Sequence, residues 1–152
     1  MIVYRLQNLY SQRMNLVLRH LTLSDETTFI NGLTEWDGED LDWYTFFWKP
    51  EMKFSEMIDR HELNEALLRR SGHIGYAVAP RYRKQGFATE IFRLGLDYCK
   101  NLNLKKIMVS CTDSNVPSWK LIEKFHGRLQ EKFMDDEHQE LCRRYWIDLK
   151  PD

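Results

Sequence analysis

The sequence predicts an α/β domain, a mixed central sheet flanked by helices, and three observations carry that prediction. Residues 72–89 change period within one stretch. Ile74, Tyr76 and Val78 alternate with His73, Gly75 and Ala77 as in a strand, and beyond Gly86 the residues Ile91, Phe92, Leu94, Gly95 and Tyr98 fall on one helical stripe. A second apolar run, Lys105–Cys111, follows that helix and reads as a strand of a sheet interior. Near the end of the chain, Gly127–Phe133 and Leu141–Leu149 flank the polar run Asp135–Gln139 and read as an antiparallel hairpin.

Composition bounds the class. The 152 residues suit one domain with one core, and 43% hydrophobic with 13% aromatic content is ample to build it. A formal charge of −1 gives no global drive toward nucleic acid or an anionic membrane, so neither is expected as a partner. The basic residues at Arg69–Arg70 and Arg81–Lys84 are local, which suits a small polyanion better than a duplex. Cys99, Cys111 and Cys142 show neither metal-site spacing nor a disulfide framework, so no metal is expected. No apolar run reaches membrane-spanning length and Met1–Arg13 has no signal-peptide pattern, which makes a reducing cytoplasm the expected compartment.

Taken in order, residues 1–13 read as a loose lead, within which Ile2–Leu9 leaves a short strand open as the alternative. Leu16–Leu21 reads as a first strand, and Ser24 or Asp25 caps a helix that runs through Leu33. Trp36–Trp48 joins the acids Asp37, Glu39, Asp40 and Asp42 to the aromatics Trp43, Tyr44, Phe46, Phe47 and Trp48. The plainer reading is a solvated acidic loop before core aromatics, and the alternative is a wall that attracts a cationic amine. Glu51–Ile58 reads as helical, and Leu63–Arg70 as a helical turn. Pro80 ends the strand at 73–79, and the helix runs from about 87 to 101. A right-handed crossover makes strands 73–79 and 106–111 parallel neighbours. Ser114 or Asn115 caps a helix with Pro117 early and Trp119, Leu121, Ile122 and Phe125 as its stripe, ended by Gly127.

The turn at 81–89 has a chemical consequence. The first N–H groups of a helix have no partner within it and carry the positive end of its dipole. Gly86 lets the backbone approach a ligand closely, and Ala88 keeps the next position small. The product is a cradle for phosphate or pyrophosphate, although a plain helix start behind a basic loop has the same outline.

Arg83-x-x-Gly86-x-Ala88 resembles the Arg/Gln-x-x-Gly-x-Gly/Ala motif of GNAT-type N-acetyltransferases, and His73-Ile74-Gly75-Tyr76-x-Val78-x-Pro80 resembles the strand before it. Asn115-x-x-Ser118-x-x-Leu121-Ile122-Glu123-Lys124 resembles the family's second signature, and Arg60–Leu68 is similar to one bacterial branch of predicted acetyltransferases. The resemblance implies the GNAT acyl-CoA N-acyltransferase fold, with acetyl-CoA as co-substrate and a small-molecule or peptide amine as acceptor. Val78, Arg83, Lys84, Gln85, Gly86, Phe87, Ala88, Thr89, Asn115 and Ser118 would hold the cofactor, the pantetheine arm lying between the splayed strand ends. The backbone N–H near Val78 is the candidate for the carbonyl oxygen. His73 is the first candidate base, beside the alternative of a histidine hydrogen-bonded within the sheet. His61 and Glu62 stand second.

Two departures from the family pattern follow. Ile122 stands where many members have a tyrosine that protonates the leaving thiolate, so water, Tyr76 or Ser118 must take that role. By comparison with the family, roughly thirty to forty residues, including an antiparallel strand pair, are absent ahead of residue 73. Either Trp43–Trp48 or Ile2–Leu9 replaces one of those strands, or the shortening leaves an open sheet edge through which a homodimer can form. The departures motivate two alternatives to acetyl transfer: a non-catalytic CoA-binding protein, and a truncated member that acts by self-association.

Overall fold

The computed structural model describes residues 22–36, 53 and 72–149. A 3-10 turn at Leu23–Asp25 leads into helix α1 (Glu26–Leu33). Asp25 is buried, and its carboxylate accepts from the Thr22 N–H at 2.9 Å and the Thr22 hydroxyl at 3.0 Å. Asp25 stands at the N-cap position of α1 as expected, but its side chain does not cap that helix and turns back to Thr22 instead. A second 3-10 turn, Thr34–Trp36, follows it.

Helix α2 (Phe87–Asn101) begins on Gly86, which sits in the left-handed region at φ 87, where a side chain is strained. Its buried face is Phe87, Ile91, Phe92, Gly95, Leu96 and Cys99. Leu94 and Tyr98, expected on that stripe, are only half-buried, while Leu96 and Cys99 complete it. Asn103, at φ 58, turns the chain out of the helix, and Leu104 N–H bonds the Cys99 carbonyl at 3.1 Å.

Strands β1 (Lys106–Thr112), β2 (Arg128–Asp135) and β3 (Glu140–Asp148) form a sheet in the order β1-β3-β2, antiparallel throughout. The hairpin forms as the sequence predicts, with a bulge between Leu129 and Glu131. Helix α3 (Val116–Lys124) connects β1 to β2. Period two brings Ile107 and Val109 from β1 and Tyr145 and Ile147 from β3 into one cluster with Phe92, Leu96, Leu121 and Ile122. Burial of each such large side chain contributes about 1.5–3 kcal/mol. Ile122 is fully buried, and a Cβ at Gly127 would collide with it. The left-handed residue after α3 is His126, at φ 64, so Gly127 is needed for that close approach rather than for the turn.

Residues 72–79 differ from the expectation. A strand parallel to β1 is predicted, but among the described residues the only ladder contact of this segment is an antiparallel bridge between Gly72 and Val109. His73 N–H bonds the Met108 carbonyl at 2.8 Å, and the Met108 N–H goes to the His73 ring at 3.0 Å instead of to a carbonyl. The imidazole thus takes the donor that would have continued the ladder, and residues 74–79 run on without one.

The expected lead at 1–13, first strand at 16–21, acidic-aromatic stretch at 37–48, helix at 51–58, turn at 63–70 and shortened region ahead of residue 73 lie outside the described residues, Lys53 apart. The open edge expected from that shortening lies there too. β2 is an edge of the described sheet, carrying Arg128, Glu131, Lys132 and the bulge, features that discourage pairing with another strand. Among the described residues no helix is long and apolar enough to cross a membrane.

Candidate active site

The turn before α2 is shaped by its own side chains. A 3-10 turn at Pro80–Tyr82 is followed by Lys84 and Gly86, both at positive φ. Arg83 Nε donates to the Val78 carbonyl at 3.0 Å and Gln85 Nε2 to the Arg81 carbonyl at 2.9 Å. Buried Phe87 anchors the helix start against Tyr82, ring centroids 6.0 Å apart. Half-buried Ala88 packs on the core, and Thr89 is half-buried beside it. The first amide to find a carbonyl is Glu90, which bonds Gly86 at 3.2 Å. Among the described residues no acceptor takes the N–H groups of 85–89. These donors sit at the positive end of a fifteen-residue helix, with exposed Arg81, Arg83 and Lys84 nearby in the chain.

The same turn touches the end of α1. Arg81 pairs with Glu35, and the Arg83 guanidinium lies 5.8 Å from the Trp36 ring centroid. Nothing in the sequence signals this contact, because the residues are some 46 positions apart and Glu35 belongs to no motif.

A second group lies between residues 74–79 and the start of α3. The Tyr76 hydroxyl meets Ser118 Oγ at 3.1 Å, and Tyr76 packs edge-on against Phe92 at 5.3 Å. Burial pushes the Tyr76 hydroxyl up to about 12, so it stays protonated at any working pH. The Cys111 thiol is also hydrogen-bonded to Ser118, and burial pushes it up to about 11, which makes it a poor nucleophile. Sequence reasoning placed Tyr76 and Ser118 but missed Cys111 as their neighbour. Asn115 caps α3, its Oδ1 accepting from the Ser118 N–H at 3.2 Å. Gly75 faces open space, with no atom within 4 Å of a Cβ built there. Among the described residues no acceptor takes the N–H groups of 74–79, that of Val78 included.

His73 has a different setting from the one a base needs. Its Nδ1 accepts the Met108 N–H at 3.0 Å and must be unprotonated to do so, which leaves the neutral ring's proton on Nε2. The Met108 carbonyl, at 3.4 Å from the same nitrogen, is the longer contact. The lone pair that would receive a substrate proton is therefore already engaged. His61 and Glu62 lie outside the described residues.

One further grouping was not foreseen. Asp135, Glu137 and His138, in and beside the β2–β3 turn, place one ligand atom each within 4.8 Å of one another, and Glu137 and His138 are exposed.

Among the described residues, the N–H groups at the start of α2 and along residues 74–79 find no acceptor, in a protein of the α/β class. Comparison with known proteins narrows the class. A family model described as the acetyltransferase (GNAT) family matches residues 18–127, well over half of the chain, and the protein belongs to that family. The uncharacterised N-acetyltransferase YnaD of Bacillus subtilis (strain 168) is 34% identical over 61 residues, covering 40% of this chain. The chain spans 35% of that relative's length. Two solved structures share the fold. They are spermidine N-acetyltransferase SpeG chimeras from Vibrio cholerae and hSSAT, K23-Q34 and K23-Y30. The first is 20% identical with a TM-score of 0.59, covering 88% of this chain and 96% of that one. The second is 21% identical with a TM-score of 0.58, covering 88% and 95%.

Proposed function

We propose that this protein transfers the acetyl group of acetyl-CoA directly to an amine. The observation that carries the reading is that the amides at 85–89, around the left-handed Gly86, find no acceptor among the described residues. A diphosphate supplies the acceptors those amides lack, with Arg83, Lys84 and Gln85 at its rim and Phe87, Ala88 and Thr89 shaping the helix start behind it. The N–H groups of 74–79, which find no acceptor among the described residues, suit a pantetheine arm, whose amides bond to backbone as an added strand does. Ser118 meets Tyr76 of that segment, and Asn115 caps the helix that carries Ser118.

Every remaining step except removal of the amine's proton falls to a residue of this chain. The Val78 N–H is the donor to the thioester carbonyl oxygen, where charge develops as the amine attacks. The departing thiolate takes its proton from the Ser118 hydroxyl, which regains one through Tyr76 at 3.1 Å from the water that received the amine's proton. This hydroxyl pair stands in for the tyrosine that Ile122 replaces, because Ile122 is enclosed in the core and contributes only packing. His73 holds the segment to Met108, and water receives the amine's proton. An amine that is cationic in solution fits the acids at 37–42 of the sequence, and the spermidine N-acetyltransferase chimeras share this fold, so spermidine heads the test panel.

The test is calorimetry with acetyl-CoA followed by a thiol-release assay over spermidine, small amines and peptide N-termini. Binding with release is the expected result. Binding without release for every amine establishes the non-catalytic CoA-binding alternative, which the enclosed Ile122 favours. No binding at millimolar acetyl-CoA removes both and leaves self-association.

A further inference from the structure

Helix α3 is gripped from two sides. On one side Ser118 meets Tyr76. On the other, Arg143 of β3 is a joint for three elements. Its Nε donates to Asp113 Oδ1 at 2.6 Å, its Nη1 to the Tyr145 hydroxyl at 3.3 Å, and its guanidinium lies 4.3 Å from the Trp119 ring centroid. Asp113 is itself fixed, its N–H bonded to the Leu141 carbonyl at 2.7 Å and its carboxylate to Lys132 at 2.8 Å. Tyr145, fully buried, donates to Glu123 Oε1 at 2.9 Å. One arginine thus connects the loop before α3, the helix's first turn through Trp119 and its last turn through Glu123.

The geometry couples this joint to the hydroxyl pair. Ser118 and Trp119 are consecutive, so their side chains leave the helix about 100° apart. Any rotation of α3 that relaxes the Trp119 stack swings Ser118 away from Tyr76. The Trp119 Nε1 is buried without an acceptor among the described residues, so the guanidinium stack is the ring's polar anchor. The Arg143 side chain is only 15% exposed, unlike the solvated pairs that contribute little. Lysine cannot replace it, because stacking and a two-nitrogen fork both need the planar guanidinium.

We propose that Arg143 is a positioning residue for the Tyr76–Ser118 pair, acting through Trp119 and Asp113. The inference rests on the proposed role of that pair at the sulfur of CoA. Its test is a double-mutant cycle read by calorimetry with CoA and desulfo-CoA, which differ only at the sulfur and require no acceptor. The wild-type protein should prefer CoA by about three- to tenfold, the magnitude of one hydrogen bond. Ser118→Ala and Arg143→Lys should each erase that preference, the double variant should lose nothing more, and desulfo-CoA affinity should stay within about twofold.

A Ser118→Ala variant that loses the preference beside an Arg143→Lys variant that keeps it overturns the inference alone. A Ser118→Ala variant that binds CoA with its preference intact overturns the hydroxyl reading and the inference together. Collapse of desulfo-CoA affinity in a folded Arg143→Lys variant assigns Arg143 a purely structural role and also overturns it. Where Arg143→Lys does not fold, Asp113→Asn leaves the arginine stacked and loosens its anchor. A partial loss of preference is then expected, and full retention overturns the inference.

Discussion

The sheet with α3 and the segment 72–89 meet at Ser118 and are built on opposite plans. In the first, β1, β2 and β3 pair along their length apart from the bulge between Leu129 and Glu131, and Asp113, Arg143, Tyr145 and Glu123 form one chain of donors and acceptors. In the second, the N–H groups of 74–79 and 85–89 have no acceptor among the described residues. Backbone polar groups left unpaired within a protein need a partner from outside. Under the proposed function the first region is a support and the second a receptor, and a receptor for an extended ligand forgoes ladder bonds of its own.

Five substitutions at four positions break or sharpen this contrast. The largest effect belongs to the support. Ile122→Ala removes a fully buried side chain and should cost about 2–5 kcal/mol in urea unfolding. Ile122→Tyr, which restores the residue common in the family, should also destabilise, by about 1–3 kcal/mol, and should not raise turnover. A faster Ile122→Tyr variant would show that position 122 reaches the reaction after all.

The next belongs to the receptor. Gly86→Val places a β-branched residue at φ 87, costing about 1–2 kcal/mol of stability and more than about tenfold in acetyl-CoA affinity by calorimetry. Retained affinity would falsify the cradle.

His73 lies where the two regions join, so its replacement discriminates between them. His73→Ala leaves the Met108 N–H without its acceptor and should lower stability by about 1–3 kcal/mol. The shape of the pH–rate profile should not change. A lost limb in that profile restores His73 as the base.

The smallest effect is electrostatic. Hydrogen bonds from Lys132 and then Arg143 hold the Asp113 carboxyl below its ordinary value. A carboxyl with a lowered folded value adds stability above its unfolded value and loses it as pH falls. Wild type and Asp113→Asn should therefore differ in melting temperature near about pH 7 and converge below about pH 3. A constant difference across that range shows that the ion pairs are not its source.

Much of the fold was legible. The α2 stripe, the Asn115 cap, the apolar β1 and the hairpin are local patterns, and each formed within a residue or two of its expected place. The pairing of 73–79 was not legible. The period of Ile74, Tyr76 and Val78 describes an extended chain, but its ladder depends on what Met108 offers, and a side chain took that donor. At the candidate site, the Gly86 turn follows from three or four adjacent residues, whereas Cys111, Glu35 and Arg143 belong to no motif that names their partners.

The sequence by itself determined the elements, their buried faces and the left-handed turn at Gly86, because periodicity, capping and glycine at a left-handed position act within a few residues of chain. Only the tertiary structure decided that Tyr76 meets Ser118 across 42 positions, that His73 bonds Met108 across 35, and that Arg143 reaches Asp113 across 30. Such partners are chosen by how helices and strands close on one another in space, and no local pattern encodes that closure.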